Sequence, residues 1–288
     1  MLDSKDVTNQ PVRVRATYND WLPSLNLSYE LPRGMQVRAA LSRTLARPEF
    51  RELAPFSYFD FLANELVQGN PHLRRSLITN YDLRFEWYLN RGQMLAFSGF
   101  RKEFDDPIEQ ILIAASGFEP IRSYENADRA TNYGMEVEWR KRLDFLHSLL
   151  DAVSFSGNIS LIHSEINLRS GGFQAQRRPL QGQADYISNL GLYYDSFNSR
   201  ISASLIYNKV GKRISRVGFA NLGDIIEMPR DQVDFSVSYA LSKSLTVKAA
   251  VKDILDQDHV FIQRTPDGDR TAERRQIGRT VSIGISMQ

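Results

Sequence analysis

Two rows of alternating charges are the first residues in this chain that could do chemistry. Asp82, Arg84 and Glu86, then Glu136, Glu138 and Arg140, place carboxylates two residues apart, a pairing that general acid–base catalysis can use. Alternation at period 2 is also how one face of a β-strand reads, and ion pairing with neighbouring strands is the simpler account of both rows. The four histidines, His72, His147, His163 and His259, include no short-spaced pair that would suit a metal. There is no cysteine, so disulfides and thiolate metal sites are excluded. No Walker loop, dinucleotide fingerprint or zinc motif is present. The expectation is a protein with no catalytic residues, no resident metal and no cofactor: not an enzyme.

A different chemistry is legible between residues 45 and 77. Phe50, Phe56, Tyr58, Phe59 and Phe61 lie beside Arg47, Arg51 and Asp60. Aromatics gathered in a long connection make a binding surface, because function concentrates on such segments. Tyr58, Phe59 and Asp60 are the candidate ligand-binding residues. The alternative is that these rings pack the segment against its neighbours.

The elements that must hold these residues are strands. Eleven segments alternate apolar and polar residues: roughly 22–31, 35–44, 78–89, 93–104, 131–140, 152–166, 184–195, 199–210, 231–241, 244–253 and 277–287. Their connections are short and long by turns. The short ones are Pro32-Arg33-Gly34, Asn90-Arg91-Gly92, Asp195 to Ser199 and Leu241 to Lys243, which have tight-turn chemistry. A longer link, Lys141 to Asp151, could form one helical stripe through Leu143, Phe145, Leu146, Leu149 and Leu150. The connections 45–77, 105–130, 167–183, 211–230 and 254–276 read as loops. No composition break divides the chain, so one domain is expected over residues 1–288.

The two faces of these strands differ in kind. One carries Leu25, Leu27 and Tyr29; Leu83, Phe85 and Trp87; Met135, Val137 and Trp139; Leu190, Leu192 and Tyr194; and Val233, Phe235, Val237 and Tyr239. Each set closes on an aromatic, and several strands carry a second ring on the same phase: Trp21 above Tyr29, Tyr81 above Trp87, Tyr133 above Trp139 and Tyr186 above Tyr194. At ~3.3 Å per residue these pairs span roughly 20–26 Å, about the apolar band of an outer-membrane barrel. Amphipathic rings settle at headgroup depth. Trp21, Tyr29, Tyr81, Trp87, Tyr133, Trp139, Tyr186, Tyr194 and Tyr239 are therefore the candidate membrane-interface aromatics. The opposite face, with Asn26, Ser28, Glu30, Gln36, Arg38, Arg84, Glu86, Glu136 and Glu138, is too polar for the dry interior of a small barrel. It suits a wide lumen holding water or a polar plug.

The bulk numbers agree with this reading. Mean hydropathy is −0.37, as expected when half of every strand faces water. The net charge of +2 gives no global field for nucleic acid. The fold expected is all-β, an antiparallel up-and-down transmembrane β-barrel with short turns on one side and long loops on the other. Eleven strands is an odd number, whereas single-chain bacterial barrels have even counts. The chain is expected to be part of something larger, and doubling eleven gives 22. Arg177-Arg178 and Arg274-Arg275 are basic pairs in long connections, read as solvated or as touching lipopolysaccharide phosphates or an anionic solute.

Several stretches resemble one family. They are Asn19-Asp20-Trp21-Leu22-Pro23-Ser24-Leu25-Asn26-Leu27; Ser42-Arg43-Thr44-Leu45-Ala46-Arg47-Pro48-Glu49-Phe50-Arg51-Glu52-Leu53; Gly69-Asn70-Pro71 with Asn80-Tyr81-Asp82-Leu83; Arg177-Arg178-Pro179-Leu180-Gln181-Gly182-Gln183; Val251-Lys252-Asp253-Ile254-Leu255-Asp256-Gln257; and Gly278 to Ser286. In this order they resemble the C-terminal barrel region of TonB-dependent outer-membrane receptors. One departure is the end, Met287-Gln288, where the family usually has an aromatic. The resemblance implies an importer of a scarce large solute such as a ferric siderophore, cobalamin, haem, a glycan or a peptide, located in the outer membrane of a Gram-negative bacterium. It implies as partners outer-membrane lipid and lipopolysaccharide, an extracellular solute, a plug domain lying with the N-terminal strands outside these residues, and the TonB–ExbB–ExbD system. No nucleic acid is implied. The competing expectation is a passive porin or adhesin-like barrel without energy coupling.

Overall fold

The structure, a computed structural model, describes residues 2–5, 11–14, 17–61, 65–90, 92–113, 121–167, 177–198, 200–218, 222–265 and 267–287. Arg91 and Ser199, assigned above to two tight turns, and Gln288, assigned to the chain's end, lie outside these residues, as does the side chain of Leu149.

Strands β1 (Leu2–Lys5) and β2 (Pro11–Val14) form a short antiparallel hairpin. Strand β3 (Ser24–Leu31) turns into β4 (Met35–Ala46) through Arg33 and Gly34, both at positive φ (63° and 72°). A Cβ at Gly34 would also stand 2.6 Å from the Tyr88 carbonyl oxygen, so this turn needs its glycine twice over. Beyond β4 come β5 (Ser57–Asp60) and β6 (Glu65–Gln68). A hairpin of β7 (Ser76–Asn90) and β8 (Gln93–Asp105) follows, then β9 (Ile108–Ile113), β10 (Ile121–Asn126) and β11 (Arg129–Arg142). The link from β11 to β12 (Val153–Asn167) contains two 3₁₀ turns, Leu143–Phe145 and Ser148–Leu150. The expected helical stripe does not form. Phe145 and Leu146 are exposed, with the Lys141 ammonium over the Phe145 ring at 5.4 Å, a segment this short cannot hold an isolated helix, and Arg142 draws Asp144 and Asp151 together instead.

Next, β13 (Arg177–Arg178) lies across the end of β12. Strands β14 (Tyr186–Asp195) and β15 (Ile201–Val210) pair as a hairpin, and β16 (Arg213–Gly218) and β17 (Ile225–Glu227) follow. The chain closes with β18 (Arg230–Ala240), β19 (Leu245–Lys252), β20 (His259–Gln263), β21 (Arg270–Arg275) and β22 (Thr280–Met287).

Apart from the β1–β2 hairpin, two sheets share these strands. Eleven make an antiparallel meander in the order β3-β4-β7-β8-β11-β12-β14-β15-β18-β19-β22, with β13 attached to β12. We call this the wall. It corresponds strand for strand to the eleven expected segments. Connections expected to be loops carry a second sheet of eight strands, β5-β6-β10-β9-β16-β17-β20-β21. That overturns the loop assignment, and the physical reason is long-range pairing. β6 meets β10 in parallel at Val67 and Arg122, and β9 meets β16 in parallel at Ile111 and Val217.

Burial sorts the sheets. In the wall the apolar phase is outward: Leu27 is 61 % exposed, Leu83 59 % and Ile283 77 %. The buried hydrophobic clusters are instead centred on the second sheet, around Val67, Leu73 and Tyr124; Ile111, Ile214 and Val217; and Leu112, Ile225 and Phe261. A fourth, of Ala127, Ala130 and Ile166, sits at the top of β11 and β12, where the wall meets that sheet. A continuous exposed apolar surface of this extent requires an apolar solvent. Among the described residues no helix is long and apolar enough to cross a membrane; the wall strands are the elements suited to it.

Candidate functional site

The charged rows of β7 and β11 fall on the inward phase of the wall and are joined. Arg84 donates from Nε to Glu86 Oε1 (2.7 Å), from Nη1 to Ser98 Oγ (3.1 Å) and from Nη2 to Glu138 Oε2 (2.6 Å). Arg38 reaches Glu86 at 3.3 Å and donates to Gln36, which donates in turn to Ser28. The network continues sideways as a ladder of amides. Asn158 donates to Glu136 (3.0 Å), Asn189 to Asn158 (3.1 Å) and Asn208 to Asn189 (2.5 Å). Serine pairs follow, Ser202 with Ser238 and Ser204 with Ser236, each at 2.8 Å. Cross-strand register puts Asn158 opposite Asn189, Asn189 opposite Asn208 and each serine opposite its partner, while Asn158 reaches Glu136 diagonally from its place opposite Glu138. Glu86 and Glu138, tied to one guanidinium, serve as charge-assisted acceptors within the sheet. The rows cross-brace the wall and line its polar side.

The aromatic candidates lie at the far edge of the second sheet. Phe50, Arg51, Ala54, Phe56, Tyr58, Phe59, Asp60 and Phe61 enclose a cavity of about 580 Å³. Phe61 is 86 % exposed and meets Phe59 edge to face, with ring centroids 5.1 Å apart. Tyr58 turns the other way and packs on the Val67, Leu73 and Tyr124 cluster. Burial pushes the Tyr124 hydroxyl up to about 12, aided by its hydrogen bond with Tyr58. Asp60 accepts from Arg122 at 2.7 Å, and Arg122 also lies 3.7 Å from Glu65. Alternation along β5 thus separates the three candidates: Phe59 reaches the open surface, Tyr58 supports it from beneath and Asp60 anchors the strand end to β10.

Residues that sequence reasoning passed over hold the sheet in place. Glu109, 1 % exposed, receives two hydrogen bonds from Arg178, at 2.9 and 2.5 Å, and one from the Gln181 backbone at 3.0 Å. The Gln181 side chain accepts from the Gln110 backbone and donates to the Ser215 carbonyl. Three connections are therefore locked through one buried ion pair. This corrects the reading of Arg177-Arg178 as a solvated pair. The two residues of β13 point to opposite faces, so Arg177 is exposed while Arg178 is buried. The available signal was Glu109 between Ile108 and the apolar stretch that begins at Ile111.

The interface aromatics keep their phase. Trp21, Tyr29, Tyr81, Trp87, Tyr133, Tyr194 and Tyr239 are exposed on the outward side. Trp139 and Tyr186 are partly covered. Trp139 leans on Phe155, with centroids 5.7 Å apart, and over Gly157, where a Cβ would stand 2.8 Å from the indole. His163 packs against the Tyr133 ring at 5.0 Å. Among the described residues no group of three or more His, Asp or Glu side chains is arranged to hold a metal.

Comparison with known proteins places these features. The family model "TonB dependent receptor-like, beta-barrel" matches residues 2–254. The chain is similar to the iron-regulated outer membrane virulence protein of Vibrio cholerae, 26 % identical over 77 % of this chain and 33 % of that protein. It is 23 % identical to the ferric enterobactin receptor of Pseudomonas aeruginosa over 83 % of this chain and 33 % of that one. The chain thus spans about a third of the length of these curated relatives. Among solved structures, a ferric enterobactin receptor mutant from Pseudomonas aeruginosa has the same fold with a TM-score of 0.61 at 18 % identity, covering 93 % of this chain and 40 % of that one. The siderophore receptor PirA of Acinetobacter baumannii gives 0.63 at 15 % identity, covering 93 % and 41 %.

Proposed function

This chain belongs to the family of TonB-dependent receptor β-barrels of the Gram-negative outer membrane, and from that premise we propose that the whole protein imports a ferric siderophore, energised through TonB. That family consists of receptors and transporters, not enzymes. The observation that carries the reading is the open aromatic cavity at β5, on the edge of the second sheet. Phe50, Phe59 and Phe61 offer ring faces and Arg51 a guanidinium. A ferric complex with planar aromatic, anionic chelating arms would be held there by stacking and by charge. Tyr58, Phe59 and Asp60 act together: Phe59 touches the solute, while Tyr58 and Asp60 fix its strand. Relatives that respond to iron or bind ferric enterobactin by name support this solute class.

In the intact receptor a plug fills the lumen against the Arg84–Glu86–Glu138 network, and TonB with ExbB and ExbD supplies energy from the inner membrane. The nine outward aromatics named above mark the two headgroup depths. The test is uptake of a radio-iron tricatecholate complex by cells relying on the intact receptor. Changing Phe59 and Phe61 to alanine should weaken binding at least tenfold while leaving the amount of folded receptor unchanged. Unaltered uptake in that variant would remove the cavity from the mechanism. Uptake that persists after the proton-motive force is collapsed would favour a passive channel.

A further inference from the structure

The inward phase of the wall is not one surface. From β3 to β12 it carries the carboxylates Glu30, Asp82, Glu86, Glu136 and Glu138 and is crossed by the Arg84 brace. From β15 to β22 it carries Ser202, Ser204, Ser236, Ser238 and Ser282, and among the described residues Asp234 is its one carboxylate. Asp234 is engaged within the wall, accepting from the Asp253 backbone at 2.8 Å and from Gln232 at 3.2 Å. Lys248 and Lys252 stand on the same phase of β19, about 13 Å apart along the strand. Both are exposed, and among the described residues neither forms an ion pair. Around Lys248 the serines floor a cavity of about 540 Å³. One register row crosses it, from Asp195 through Ser202 and Ser238 to Lys248. The hydroxyls hold one another across the strands at 2.8 Å and carry no charge.

We infer that the inner face of β15–β22 is the side of the lumen along which the solute descends, with Lys252 and then Lys248 as passing contacts for its anionic chelating groups. The inference rests on the reading above that the solute is an anionic ferric chelate. Charge selects the side. An anion moving past Glu30, Asp82 and Glu136 is repelled, and the Arg84 guanidinium beside them is already held by Glu86 and Glu138. Beside β19 the same anion meets ammonium groups on flexible stems, free to turn toward it. Weakness selects the side as well. A group on a path must attract enough to admit the solute and too little to keep it. Exposed lysines set among neutral hydroxyls meet that condition. Asp195, on the far rim of the cavity at the short-turn end of β14, discourages an anion from resting there. The plug keeps its place against the braced half while the solute passes along the other.

Cells relying on the intact receptor are given a radio-iron tricatecholate complex. Surface binding is measured with the proton-motive force collapsed, and uptake with it intact. K248Q/K252Q should bind as the wild type does and take the complex up severalfold more slowly. In K248E/K252E uptake should fall at least tenfold, with binding still within about twofold of wild type. Lys102→Glu, on the inward phase of β8 in the carboxylate-rich half, should leave uptake within about twofold. Heat-modifiable migration reports the amount of folded receptor, and the glutamine variant decides the matter where the glutamate variant folds poorly. Wild-type uptake in the lysine pair variants overturns the inference, and so does an equal loss in Lys102→Glu. Loss of surface binding alongside uptake overturns it too, because Lys248 and Lys252 would then belong to the outer site. Wild-type cells that bind none of the complex would instead remove the solute reading, and the inference with it.

Discussion

Leu83 in the wall is 59 % exposed, and Glu86, three residues along the same strand, is 4 % exposed; in the second sheet Val67 is fully buried while Arg213 and Lys212 stand at its surface. These are two β-sheets built from one chain for opposite solvents. Wall strands pair with their neighbours in sequence, put apolar side chains outward and satisfy the polar ones across strands through Arg84, Asn158 and Asn189. The second sheet gathers strands from four separate connections and buries Ile111, Val217, Leu112 and Phe261 between them. The wall needs lipid for its apolar surface. The second sheet is held by the ordinary hydrophobic effect in water. Stability in one should therefore be lost without the other following.

The largest expected separation comes from the Glu109–Arg178 pair. Glu109→Ala removes the carboxylate that holds the buried Arg178 guanidinium, and breaking a buried pair in this way costs about 3–5 kcal/mol. In the intact receptor, limited proteolysis should cut the connections of the second sheet, while the wall keeps its heat-modifiable migration on a gel. Replacing both members with leucine should recover most of that resistance, since apolar side chains of similar size avoid burying one charge without the other. Proteolysis at the wild-type rate in Glu109→Ala would show that the pair does not hold the three connections together.

The second separation runs the other way. Leu83→Arg, near the middle of the outward band, should cost ~2–4 kcal/mol of folding stability in lipid vesicles, and Tyr29→Arg, near its end, ~0–1 kcal/mol. Urea titration of the folded band measures both. Neither change should alter proteolysis of the second sheet. Equal costs at the two depths would mean that the outward face does not cross a bilayer.

The same contrast explains what could be seen in the sequence. The wall was legible because its two faces meet different solvents, so period 2 is written in residue type. Ser76–Asn90 was anticipated as 78–89, and the outward and inward sets were assigned residue by residue. The second sheet was hidden because its strands are short. Ser57–Asp60 and Ile225–Glu227 are too brief to show a period, and their pairing is fixed at a distance, as where Arg122 lies against Val67. Tyr58, Phe59 and Asp60 were found as a cluster by composition, yet only the register of β5 reveals that they face different ways. Arg178 escapes the sequence for the same reason, since reading Arg177-Arg178 as a loop discards the alternation that leaves Arg177 exposed and sends Arg178 inward.

The smallest expected effect separates the sheets by pH. His259, in β20, is partly buried, and its Nε2 has no hydrogen-bond partner. Burial lowers its affinity for a proton, Arg230 and Arg275 lower it further, and Glu227 and Asp253 oppose them. The folded state therefore binds a proton less readily than the unfolded chain, whose imidazole titrates near ~6.5. Stability from this group is present above that pH and is lost as pH falls below it, because acid favours the state that accepts the proton. Protease resistance of the β17–β20–β21 region should decline as pH is lowered from about 6.5 to 5, with the wall unaffected over the same range. His259→Phe should flatten the decline by removing the titrating group while keeping a ring in its place. A decline of equal size in that variant would show that the imidazole is not the source of the acid sensitivity.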